Sequence, residues 1–197
     1  MKIVVIKYNA GNIQSVSFAL KRAGISAVVT DSPEQIRIAD KIIFPGVGEA
    51  SSAMSYLREK KLDQLIVSLQ QPVLGICLGM QLLCNYSEEN NTRCLGIFKN
   101  VNIKRFKPVN SSYKVPQTGW NTIYNLKSSL FKGVNENSYC YFVHSYYAEQ
   151  NPYTTATTEY GLPYASAIQK ENFYGVQFHP EKSAEAGEKI LKNFISL

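Results

Sequence analysis

Three short stretches carry the residue types of a nucleophile, a base and an anion-stabilising loop. The first is Gly75-Ile76-Cys77-Leu78-Gly79, a cysteine between two glycines at the end of the apolar run Val73–Ile76. Glycine on each side lets a sharp strand-to-helix turn form and expose the thiol. The N-terminus of a following helix favours the thiolate. A thiol nucleophile needs a base, and the base needs a carboxylate to set its tautomer. His179-Pro180-Glu181 supplies both, because residues two apart in an extended segment point the same way. The other histidine, His144, lies in Tyr141-Phe142-Val143-His144-Ser145-Tyr146 with no carboxylate before Glu149. It reads as a structural or pocket-lining residue. The competing readings are a small core cysteine at Cys77 and a solvated turn at Glu181.

Pro45-Gly46-Val47-Gly48 is the third stretch. Two glycines make a backbone able to offer N–H groups to a developing oxyanion. The run Gly46-Val47-Gly48-Glu49-Ala50-Ser51 resembles a dinucleotide fingerprint, but Ser51 replaces the third glycine and the run follows a third strand rather than a first. A plain Gly-Pro turn into a helix stays open.

These stretches must be brought together by the elements around them. Ile3–Tyr8 reads as a buried strand, and Ala27–Thr30, Ile42–Phe44 and Val73–Ile76 as a second, third and fourth strand. Between them run helical segments. One has Asn12 as N-cap and Gly24 past its end; one is capped by Ser32-Pro33-Glu34-Gln35; one reaches about Gln70; a short one covers Met80–Tyr86. This alternation predicts an α/β fold, a doubly wound and mostly parallel sheet with helices on both faces. Ligands of such sheets sit outside the carboxyl ends of the strands, where all three stretches fall. Segments near Val101–Phe106, Thr122–Tyr124, Tyr139–Tyr147, Tyr164–Gln169 and Phe173–Phe178 are rich in aromatic and β-branched residues. They predict antiparallel strands extending the sheet, and Ala184–Ile195 a closing amphipathic helix. No repeat or linker divides the chain, so one domain over residues 1–197 is expected.

Composition narrows the classes. Of 197 residues, 45% are hydrophobic and 18% charged, which excludes disordered and fibrous chains. No apolar run approaches the roughly 20 residues of a membrane span, and Ile3–Ile6 is too short for a signal-peptide core, so a cytoplasmic protein without membrane partners is expected. Four cysteines without C-x-x-C spacing argue against a disulfide framework and a zinc site. The net charge of +6 is spread out, with Lys60-Lys61 and Lys104-Arg105, Lys107 the densest groups. It reads as a solvated surface or a contact with an acidic partner, not as a nucleic-acid site.

Together these stretches resemble the class I, triad-type glutamine amidotransferases, which have a flavodoxin-like fold. More narrowly they are similar to the glutaminase subunits of imidazole glycerol phosphate synthases. The resemblance covers nearly the whole chain. It runs through Tyr8-Asn9-Ala10-Gly11-Asn12, Pro45-Gly46-Val47-Gly48, Gly75-Ile76-Cys77-Leu78-Gly79-Met80-Gln81, Gly119-Trp120-Asn121, Val143-His144-Ser145-Tyr146 and His179-Pro180-Glu181-Lys182-Ser183. Ala10 stands where the family is expected to carry glycine or methionine.

The resemblance implies a set of roles. Cys77 would attack the glutamine amide, His179 would shuttle the proton, and Glu181 would orient His179. The N–H groups of Val47 and Leu78 would form the oxyanion hole. Gly46, Gly48, Gln81, Ser145 and Tyr146 would hold L-glutamine. Asn12, Trp120 and Lys182 would face a (β/α)₈-barrel synthase subunit that receives ammonia. No metal or organic cofactor is implied. A paralogue serving a different synthase, such as one amidating a cell-surface sugar, a catalytically silent regulatory module and a free-standing cysteine hydrolase are the alternatives.

Overall fold

The computed structural model describes residues 1–9, 11–107 and 113–197; Ala10 lies outside them. The first half alternates strand and helix: β1 (Ile3–Ile6), α1 (Ile13–Arg22), β2 (Ala27–Thr30), α2 (Pro33–Arg37), β3 (Lys41–Phe44), α3 (Ala50–Glu59), α4 (Leu62–Val67), β4 (Val73–Ile76) and α5 (Leu78–Leu83). The second half is largely strand: β5 (Cys84–Ser87), β6 (Thr92–Arg93), β7 (Phe98–Arg105), β8 (Gln117–Ile123), β9 (Ser138–His144), β10 (Tyr146–Ala148), β11 (Thr154–Glu159), β12 (Pro163–Lys170) and β13 (Phe173–Val176). The helix α6 (Ala184–Ile195) follows.

The main sheet runs β2-β1-β3-β4-β13-β12-β10-β7-β5-β6, with β11 also paired to β12. Its first five strands are parallel, in the 2-1-3-4-5 order of flavodoxin-like sheets if β13 counts as fifth. Antiparallel β12, β10 and β7 extend it. Strands β8 and β9 form a separate antiparallel pair in which Trp120 faces Tyr141 in register.

Strand side chains alternate between two cores, as the period of two requires. Val4, Ile6, Ile42, Phe44 and Val73 join the core beneath α2 to α5. Ile3, Val5, Ile43, Leu74 and Ile76 join the one beneath α1 and α6. Helices on both faces follow directly. α2 begins as its sequence indicates: Ser32 Oγ accepts from the Gln35 N–H at 3.3 Å, with Pro33 in the first turn.

Several boundaries differ from the sequence reading. The helix expected to reach Gln70 is broken into α3 and α4 at Lys61, whose φ of 55° is left-handed. The helix expected over Met80–Tyr86 ends at Leu83, and Cys84–Ser87 is strand, because parallel pairing with β7 captures it. Asn12 does occupy the N-cap of α1, but with φ 73° and no side-chain cap bond; its amide is engaged elsewhere. Strand β11 has no strong signal of its own: its Thr-rich, weakly apolar sequence is held by pairing with β12.

Candidate active site

Strands β1, β3, β4 and β13 run parallel, so their carboxyl ends bring residues 8, 9, 11 and 12, 45–48, 77–81 and 177–183 to one edge of the sheet. Cys77 leaves β4 with φ 52° and ψ −110°, a strained conformation for a residue with a side chain. The flanking glycines serve a different purpose from the turn freedom expected of them: neither has positive φ. A Cβ on Gly79 would overlap the Phe44 carbonyl and lie 2.9 Å from its carbon, so glycine there lets the elbow press against β3.

His179 follows β13, its N–H donating to the Tyr141 carbonyl at 2.9 Å. Ser183 Oγ donates to the His179 carbonyl at 2.6 Å and accepts the Tyr141 N–H at 3.0 Å, which stitches the turn to β9. The His179 Nδ1 to Glu181 Oε1 distance is 2.7 Å, and both side chains are buried. Asn12 Nδ2 donates to the same carboxylate oxygen and lies 3.2 Å from His179 Nδ1. Burial opposes the imidazolium, but Cys77 on one side and Glu181 on the other outweigh it and raise the His179 pKa. His179 Nε2 is buried and, among the described residues, has no hydrogen-bond partner.

A cavity of about 320 Å³ opens beside the thiol, lined by Val47, Gly48, Cys77, Leu78, Gln81, Glu89, Pro116, Val143, His144, Ser145 and Tyr146. Its size is at the small-metabolite end of ligand sites. Gly46 is not among the lining residues. It packs under the loop, where a Cβ would collide with the Tyr8 hydroxyl. That hydroxyl donates to the Pro45 carbonyl at 2.6 Å, and the Gly11 N–H donates to the Val47 carbonyl at 3.3 Å. The Leu78 N–H donates to the Gly46 carbonyl at 3.3 Å.

His144 is buried, with Nδ1 2.7 Å from the Tyr146 carbonyl and Nε2 3.3 Å from the Tyr164 hydroxyl. Burial pushes its pKa down to about 4, so it remains neutral. It lines the cavity and has no carboxylate behind it, as expected. Glu89 carries no signal in the sequence. Nothing in Ser87-Glu88-Glu89 distinguishes it from its neighbour, yet it is the acid that lines the cavity, its carboxylate accepting the Ala50 N–H at 2.7 Å. Burial raises its pKa.

Trp120 and Lys182 stand apart from this cavity. Trp120 is 53% exposed, and its ring meets Tyr141 edge-on at 5.9 Å; Lys182 is exposed, with Nζ over the ring of the same tyrosine, 5.8 Å from its centre. Asn12, by contrast, is half-buried and directed at Glu181. Among the described residues no cluster of three His, Cys, Asp or Glu could hold a metal, and no helix is long and apolar enough to cross a membrane.

Residues 4–197 match the family model described as "Glutamine amidotransferase class-I". The chain is 58% identical to an imidazole glycerol phosphate synthase subunit HisH of Bacteroides fragilis, covering 100% of both chains. It is 53% identical to the HisH subunit of Bacteroides thetaiotaomicron, again over 100% of both. A crystal structure of a glutamine amidotransferase superposes with a TM-score of 0.74 at 16% identity, over 98% of this chain and 97% of that one, which supports the fold alone. A cysteine elbow, a buried histidine–carboxylate pair and full-length identity above one half therefore agree: the chain belongs to the class I glutamine amidotransferase family, in its HisH branch.

Proposed function

We propose that this chain is the glutaminase subunit of an imidazole glycerol phosphate synthase, hydrolysing L-glutamine and passing ammonia to a (β/α)₈-barrel subunit for histidine biosynthesis. The observation that carries the chemistry is the buried His179–Glu181 pair at 2.7 Å beside a cavity that contains Cys77. The Cys77 thiolate attacks the side-chain carboxamide carbon, and the carbonyl electrons move onto oxygen. As that oxyanion collapses, the C–N bond breaks and His179 gives its proton to the departing ammonia. Water then attacks the γ-glutamyl thioester, with His179 taking its proton. The C–S bond breaks, and glutamate and the thiolate are released. Glu181 holds His179 by Nδ1, and Asn12 holds Glu181. Gly48, Gln81, Ser145 and Tyr146 line the side where the amino-acid end of glutamine would lie. The Glu89 carboxylate supplies charge for its ammonium.

The loop geometry fits an enzyme at rest. The Leu78 N–H is occupied by the Gly46 carbonyl. That carbonyl and the Val47 N–H belong to one peptide, so rotating this single unit frees Leu78 and brings in Val47. Gly46, which has no Cβ, makes the rotation sterically cheap on its side of the peptide. One correctly placed oxyanion donor is worth roughly 100- to 1000-fold. The exposed Trp120 and Lys182, with Tyr139 62% exposed beside them, suit the barrel subunit. From there the Tyr141–His179 backbone bond leads into the site.

The test measures glutamate release by the chain alone, with the barrel subunit, and with that subunit plus an imidazole-pathway nucleotide ligand. Low, intermediate and high rates are expected in that order. Cys77→Ala should abolish glutamine-dependent synthesis while synthesis from free ammonia survives. Full activity of the chain alone removes the switch, and glutamate release by Cys77→Ala near the original rate removes the nucleophile.

A further inference from the structure

A line of amides connects the substrate side of the cavity to the nucleophilic sulfur. The Tyr146 carbonyl accepts from His144 Nδ1 at 2.7 Å and from Gln81 Nε2 at 3.0 Å. Gln81 Nε2 also donates to Gln177 Oε1 at 2.9 Å, and Gln177 Nε2 donates to Cys77 Sγ at 3.6 Å. Gln177 is fully buried, directly after β13 and two residues before His179.

Elementary donor and acceptor rules fix the sense of this line. A peptide carbonyl only accepts, so Gln81 must turn its NH₂ toward Tyr146. The second proton of that NH₂ must meet an oxygen, so Gln177 turns Oε1 toward Gln81. Its own NH₂ is then left facing the sulfur. A backbone carbonyl two side chains away thus decides that Cys77 meets a donor. Another polar atom near the sulfur is the Val143 carbonyl, 3.8 Å away. It accepts a thiol proton and repels a thiolate. Gln177 does the opposite.

We propose that Gln177 is a catalytic hydrogen-bond donor to Cys77 Sγ that favours the thiolate, and that Gln81 is the positioning residue that turns the Gln177 amide toward the sulfur. The inference rests on Cys77 being the nucleophile. Gln177 acts when the sulfur carries charge: before the S–C bond forms, and again when that bond breaks during hydrolysis and its electron pair returns to sulfur. The titratable groups facing Cys77 from the elements packed around it are His179 after β13, Tyr8 after β1 and Tyr164 on β12, with Glu181 behind His179. His179 donates to the sulfur only while it carries its proton, whereas the Gln177 amide is a donor whatever the protonation state of its neighbours.

The test is the pH dependence of Cys77 alkylation by iodoacetamide in the full chain, with Cys77→Ser as the blank for the three other, buried thiols. Gln177→Met removes the donor at similar length. The alkylation midpoint should rise by about one unit, so alkylation at neutral pH slows roughly tenfold. The kcat for glutamate release should fall by at least as much, with KM little changed. Gln177→Glu exchanges one nitrogen for oxygen in the same shape and should shift the midpoint the same way. In the unsubstituted chain, the Gln177 side-chain amide protons should move in NMR spectra with the midpoint of the thiol, a reading that needs no variant to fold. An unchanged midpoint in either folded variant, or amide protons that ignore the thiol, overturns the proposal. Glutamate release surviving in Cys77→Ala would instead overturn the nucleophile itself, so the two failures are separable.

Discussion

Replacing Gly79 with alanine asks how tightly the elbow must press on β3. Gly79 has ordinary helical φ, so backbone strain gives no reason for alanine to fail there. The obstacle is contact: the new Cβ would overlap the Phe44 carbonyl oxygen and lie 2.9 Å from its carbon. Neither atom can swing aside, because both belong to the strand. The elbow must therefore retreat by roughly 1 Å, and a misplacement of that size costs about 100-fold in rate. Overpacking of this kind adds about 1–3 kcal/mol of destabilisation. Gly24→Ala is the control. It sits at φ 76° with nothing within 4 Å of the added carbon, so it costs about 1–2 kcal/mol of strain but moves no site residue. The assay is glutamate release in the presence of the barrel subunit, with melting temperature measured in parallel. Similar loss of stability in both variants, with activity lost only in Gly79→Ala, is the expected result. Gly79→Ala with kcat within threefold of the original would refute the close-contact argument.

His179→Ala should lose several orders of magnitude in turnover, as removal of a triad base does, whereas His144→Ala should lose far less; equal losses with the fold intact by circular dichroism would make His144 a base after all. Glu89→Gln should raise KM for glutamine by roughly 10- to 100-fold, the worth of one charged hydrogen bond, with kcat largely kept; a selective fall in kcat would count against its role in binding. The raised pKa of His179, from 6.5 to about 10, makes the folded state bind more protons than the unfolded one. Its stabilisation is complete below pH 6.5 and is lost as pH climbs toward 10, so the melting temperature should already decline between pH 6.5 and 8.5, before the buried thiols contribute. His179→Gln should flatten that slope, and a slope unchanged by the substitution would contradict the assignment.

The parallel half of the fold is legible in the sequence, and so is the grouping of the candidate site's loops, because both follow from the alternation of strand and helix. β2 and β4 have the bounds their apolar runs indicate, and α6 spans the residues its amphipathic spacing marks. Polar-to-apolar balance misled where tertiary pairing decides. Met80-Gln81-Leu82-Leu83-Cys84 reads as a continuing helix until β7 claims Cys84, and Thr154–Glu159 becomes strand only because β12 lies beside it. Cys77, His179 and Glu181 announce themselves by type and spacing. Glu89 and Gln177 do not: each matters through a neighbour remote in sequence, Gln177 through a cysteine 100 residues away. A glutamine inside the apolar run Phe173–Phe178 was the one available sign, since a buried amide must find partners. Asn12 was readable as a cap, and its reach to Glu181 was not, since nothing local tells the amide to prefer a carboxylate 169 residues on.

The position of β13 has a consequence for how the molecule is made. It lies between β4 and β12 and is parallel to β4, but emerges from the ribosome long after it. Until residues 173–176 are synthesised, β4 has β3 on one side and an open row of peptide groups on the other. That row adjoins the cysteine elbow, and an unpaired edge of apolar sequence is a template for any other strand. Closing it is a non-local pairing of the slow kind. The same event delivers Gln177, His179 and Glu181 to Cys77. A nascent chain carrying only the elbow therefore exposes its aggregation-prone edge and its unpaired thiol together, and both are covered in one step when the last strand docks.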